Sequence, residues 1–273
     1  MTQEPDNAVR SVDLASFSLG DMLRCGPAIR DAAAGAQSME AAADAIVRHF
    51  ATLFRDPATD APQCALVRFF KTHPYRTLEP PLQEVARTFM STMGDGTLEP
   101  ETKCLTLLAT AGQRPEWDDR HRSRAHRTIP LPSAKVVERT PMIAQLIRQL
   151  GIDVSTVLGA PHELLRMESR TYNVFYVDQA AGSEFIPAQQ EFVIPYGIKS
   201  VVGFGGLIGE ELFAVILFAT VSIPPESAER FRALALDVKR AVYRIPESRV
   251  FASDASAWDD GAAANDAAAD DAS

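Results

Sequence analysis

Two apolar runs, residues 200–207 and 212–219, are separated only by Ile208-Gly209-Glu210-Glu211. Runs of strand length, rich in β-branched and aromatic residues and joined by a short glycine-containing connector, predict an antiparallel hairpin with largely buried strands. Beyond Pro224-Pro225 the period changes. Phe231, Leu234, Ala235, Val238, Ala241 and Val242 then recur at the spacing of a helix with one buried face. Glu226 and Glu229 lie in its first turns and Lys239, Arg240 and Arg244 near its end, each opposing the nearer end of the helix dipole. The stretch 171–243 therefore predicts a central hairpin feeding a helix that packs back on the sheet.

Upstream, residues 17–36 predict a helix that Gly26-Pro27 kinks or divides. A second helix opens at Ser38, with Ala42, Ala45, Ile46, His49, Phe50 and Leu53 on one face. Residues 64–70 and 104–110 read as strands, and 81–93 as a helix closed by Gly94-Asp95-Gly96. Residues 133–150 read as helical, with Pro141 interrupting or restarting the pattern, and 171–177 as a further strand. Pro187 and Pro195 suggest a fixed extended connector over 189–194. Gly203, Gly205 and Gly206 mark a bulge or a close approach of backbones.

At 273 residues with no evident interior linker, one domain over 17–246 is expected, between a mobile segment 1–16 and a disordered acidic tail 247–273. The formal charge is −9, but removing the six aspartates of 254–273 leaves −3 for the rest. That balance argues against a nucleic-acid partner. No apolar run is long enough to span a membrane and residues 1–10 are polar, so a cytoplasmic location is expected. Cys25, Cys64 and Cys104 form no close pair, which suits a reducing compartment and offers neither a disulfide framework nor a metal motif.

The order of elements, together with Tyr172-Asn173-Val174-Phe175, Gly182-Ser183, Ile186-Pro187-Ala188-Gln189, Pro195-Tyr196-Gly197-Ile198 and the two runs of the hairpin, resembles the GAF family of sensory domains found beside bacterial histidine kinases and cyclases. The resemblance implies an α+β fold, an α/β/α sandwich. In it a central antiparallel sheet carries the N- and C-terminal helices on one face and a layer of loop and helix on the other, with 81–93 as an insertion. It also implies a small-molecule pocket under the segment joining the middle strands, and dimerisation through the helical layer.

Two groups of residues are candidates for that pocket. In the charged segment 113–127, Arg114, Trp117, Arg120, His121 and Arg124 could hold a phosphate or carboxylate. The alternative is a solvated loop whose arginines and aspartates pair with one another. The second group is Tyr172, Asn173, Phe175, Gln189, Phe192 and Tyr196, aromatic bodies with polar tips that suit a ligand cavity or equally a packed sheet face. No catalytic motif is present, the histidines lack companions at ligand spacing, and no kinase, cyclase or receiver motif follows the last helix. The expected function is a stand-alone regulatory module that binds an unidentified small ligand and passes state to a signalling partner by association, as a homodimer. Alternatives are an interaction domain with no ligand, or a small cysteine-dependent redox enzyme. No cofactor is specified.

Overall fold

In a computed structural model, residues 11–94, 97–123, 126–159 and 173–252 are described. Helix α1 (Leu19–Ala32) starts at Ser18, whose hydroxyl accepts from the Asp21 N–H while the Asp21 carboxylate accepts from the Ser18 N–H. It runs as one helix through Gly26-Pro27, where a kink or a division was expected, so the division is excluded. Pro27 and Leu23 lie on the exposed side, so the carbonyl that proline leaves without a donor is open to water. Helix α2 (Met39–Leu53) is capped by the Ser38 hydroxyl. Helix α3 (Pro80–Met93) begins on two prolines and stops at Gly94, whose φ of 62° suits a residue without Cβ. Two short helices, α4 (Ala134–Glu138) and α5 (Pro141–Gln149), are separated at Pro141 and followed by the turn α6 (Val154–Val157). The last long helix is α7 (Pro225–Tyr243).

The strands are β1 (Cys64–Pro74), β2 (Lys103–Gly112), β3 (Thr128–Pro130), β4 (Val174–Val177), β5 (Ser200–Ile208) and β6 (Glu211–Ala219). They form one antiparallel sheet in the order β3-β2-β1-β6-β5-β4, so the first and last strands meet at its centre. Alternation then sorts side chains between two apolar layers. Val67 and Phe69 of β1, with Val202, Phe204, Phe213 and Val215, face α1, α2 and α7. Leu66 and Phe70, with Val201, Ala214, Ile216 and Phe218, face α5 and the segment that carries Trp117.

Two expectations need correction and one alternative is decided. The ordered fold extends past 17–246 at both ends: Leu14 is buried within a short 3-10 turn, and Val250 is buried against α2. Residues 189–193 are not extended. They form a π-helical turn in which the Phe192 and Val193 N–H groups both reach the Ala188 carbonyl, a coil that buries Val193 and swings Phe192 onto Phe218. The glycines of β5 mark close approach and no bulge, because pairing with β6 runs without a register shift. A Cβ on Gly205 would stand 2.0 Å from the Phe213 carbonyl oxygen.

Candidate functional site

The segment 113–127 leaves β2 and folds over the sheet as two 3-10 turns, Pro115–Trp117 and Arg120–Arg122. Hydrogen bonds tie it to the sheet and brace it internally. The Gln113 N–H donates to the Ala65 carbonyl, Thr110 Oγ1 donates to the Trp117 carbonyl at 2.8 Å, and the Asp119 carboxylate accepts from the His121 N–H at 2.8 Å. Trp117 then meets the π-helical turn edge-on, 4.4 Å from the Tyr196 ring and 5.4 Å from Phe192. The Arg114 guanidinium lies 5.8 Å from the Tyr196 ring centre and pairs with Glu116 at 3.2 Å. Beside this aromatic wall an open depression of about 400 Å³ is lined by Gly112, Gln113, Arg114, Pro115, Asp118, Asp119 and Arg122.

Of the residues expected from sequence, Arg114, Trp117, Phe192 and Tyr196 come together here. Others are committed to the architecture. Arg120 is buried, with Nε and Nη2 on the two oxygens of Glu40 and Nη2 also on Glu79. His121 Nδ1 lies 3.1 Å from Asp119 Oδ1, in the same polar knot. Gln189 is a brace: its Oε1 accepts from the Gly182 N–H and its Nε2 donates to the carbonyls of Ala180, Ser183 and Ile186. Phe175 is fully buried against Gly203 and Leu146. Asn173 packs over Gly151, where its amide nitrogen would stand 2.9 Å from an added Cβ. Arg124 and Tyr172 lie outside the described residues.

The residue that sequence reasoning missed is Arg68. It sits in the middle of β1, between Thr110 of β2 and Ile216 of β6, on the face covered by the 113–127 segment. Only 9% of it is exposed. Its Nη2 donates to Ser123 Oγ at 3.3 Å, its Nε has no partner, and no carboxylate among the described residues pairs with it. Burial pulls its pKa down to about 10, still charged at neutral pH. A buried guanidinium normally has a carboxylate beside it, because taking a charge out of water without a counter-charge is costly. Its planar fork of donors matches a carboxylate or phosphate. The signal in sequence was one arginine inside the apolar run Cys64-Ala65-Leu66-Val67-Arg68-Phe69-Phe70.

The three cysteines are enclosed. Cys25, Cys64 and Cys104 are all buried, and burial pushes each thiol up to about 12, far from the thiolate a nucleophile requires. Among the described residues no group of three histidine, cysteine or carboxylate side chains is arranged to hold a metal, and no helix is long and apolar enough to cross a membrane. No protein-family model matches the chain, and neither a curated protein nor a solved structure matches it.

Proposed function

We propose that this chain is a GAF-like regulatory module, an α/β/α sandwich that binds a small anionic metabolite and passes its bound or free state to other proteins by association. The observation that carries this reading is Arg68, a buried cation on the sheet floor with a serine hydroxyl for company and no carboxylate partner among the described residues. The covering segment, tethered through Trp117 to Phe192 and Tyr196, supports it, since a ligand seated on Arg68 would also bear on that roof. Homodimer formation is supported by the distribution of exposed apolar side chains. Leu19 and Leu23 on α1 and Leu236 and Tyr243 on the adjacent α7 are four of the five large exposed apolar residues among those described.

A second reading, an interaction domain with no ligand, draws on Arg120, Gln189 and Phe175, which all serve packing. Native mass spectrometry of the purified chain and of Arg68→Met separates the two and reports the oligomeric state. Under the ligand reading an anionic compound, or one added from a panel of dicarboxylates and sugar phosphates, binds the wild type and is lost from a folded Arg68→Met. Removing an unpaired buried charge in favour of an apolar side chain leaves stability equal or higher by about 1–3 kcal/mol. A wild type that binds no anion, or a variant that binds as well as wild type, leaves the interaction reading.

A further inference from the structure

Strand β1 continues past Phe70 as Lys71-Thr72-His73-Pro74, and alternation turns Lys71 and His73 to the face opposite Arg68, the one under α1, α2 and α7. Both are enclosed: Lys71 is 0% and His73 1% exposed. An ammonium has three donors to satisfy. Among the described residues Lys71 Nζ reaches only the Thr72 carbonyl and Glu247 Oε2, each at 3.4 Å, longer than the roughly 2.7–2.9 Å of a good charge-assisted bond. His73 Nε2 is buried with no partner among the described residues. Thr72 turns away to the other face, where its hydroxyl donates to Glu211 at 2.6 Å.

What covers this pair is the segment 246–252. It is anchored at its far end, where the Val250 side chain is buried in the helical-layer core and its carbonyl accepts from the Glu40 N–H, the Ala252 N–H donates to Glu40 Oε2 at 2.8 Å, and the Phe251 ring packs against the Leu78, Leu82 and Cys104 cluster, 5.1 Å from the Arg120 guanidinium and 5.9 Å from His73. Glu247, which supplies the only carboxylate bonded to Lys71 among the described residues, keeps 60% of its side chain in water. A half-solvated carboxylate at the end of a short tether is a replaceable partner for a buried cation.

We propose that residues 246–252 are a displaceable strap, and that Lys71 and His73 beneath it form an anion site for a small oxyanion, phosphate or carboxylate, which the Glu247 carboxylate occupies in the closed state. The site is separate from Arg68 and stands or falls independently of it. Acetylation of lysines in the full-length chain by an N-hydroxysuccinimide ester, read peptide by peptide and normalised to the exposed Lys199, tests it. In wild type Lys71 is protected. In Glu247→Gln and in Phe251→Ala its labelling rises by about tenfold as the strap opens more often. Sodium phosphate or sodium acetate added to Glu247→Gln restores the protection, and whichever anion does so identifies the class of oxyanion. Labelling that stays at the wild-type level in both variants, or that rises and is suppressed by neither anion, overturns the proposal. Should Phe251→Ala fail to fold, Glu247→Gln, altered at a largely solvated side chain, carries the test alone.

Discussion

Arg120 and Glu40 are joined by two parallel hydrogen bonds, Nε to Oε1 at 2.5 Å and Nη2 to Oε2 at 2.8 Å, and the same Nη2 reaches Glu79 at 2.9 Å. One guanidinium therefore fastens the 113–127 segment to the start of α2 and to the residue before α3. Replacing it by alanine strands two mostly buried carboxylates without a counter-charge. Arg120→Ala should cost about 3–5 kcal/mol in urea unfolding, and Arg120→Lys should recover only part, since an ammonium cannot span both oxygens of Glu40. A loss of under about 1 kcal/mol would show the triad to be solvated.

Gly205 is predicted to tolerate no side chain. Its neighbours on the β6 side are backbone atoms, the Phe213 oxygen at 2.0 Å and the Ala214 Cα at 2.9 Å from an added Cβ, and neither can swing aside. Gly205→Ala should destabilise by about 1–3 kcal/mol or more, whereas Gly182→Ser, where nothing lies within 4 Å of the new Cβ, should cost less despite its positive φ. Thermal melts of the two variants side by side make the comparison.

Phe231 is the hub of the helical layer, fully buried among Phe17, Phe54 and Phe204 with ring centres 4.7, 5.8 and 5.5 Å away. Phe231→Ala should cost about 3–5 kcal/mol. An equilibrium denaturation shift smaller than about 1 kcal/mol would mean that α7 does not dock as described.

The N-terminal turn should loosen in acid. Burial by itself would raise the Asp13 carboxyl, but hydrogen bonds from Gln63, Ser16 and the Ala15 N–H outweigh it and hold the group below its ordinary 3.8. A carboxylate depressed in the folded state adds stability above its unfolded pKa and surrenders it as pH falls through the folded value. The stability advantage of wild type over Asp13→Asn, measured in urea at neutral pH, should thus shrink below pH 3.8 and vanish at lower pH. An advantage independent of pH would assign the contact to packing.

Most of the framework was legible because period and punctuation agree along the chain. The runs that became β1, β2, β5 and β6 are continuous and apolar, and the stripe of α7 is regular. Strand β3 was invisible at three residues, and the turn at 189–193 was misread because flanking prolines suit a coil as well as an extended link. The site was harder. Composition alone could not divide the arginines of 113–127 between binding and support, because the partners of Arg120 lie 80 and 41 residues away in sequence. Arg68 and Lys71 were hidden by the opposite error, having been absorbed into a strand whose apolar neighbours dominate its pattern.

The meeting of β1 and β6 at the middle of the sheet also sets a timetable. Cys64 pairs with Ala219, and the Gln63 carbonyl receives a bond from Thr220, 157 residues later in the chain. The β5–β6 hairpin can zip locally, yet a ribosome must have released residue 219 before β1 acquires its second neighbour. Until then the longest of the described strands presents an unpaired, largely apolar edge, so strand order alone makes completion of the sheet a late, non-local step of synthesis.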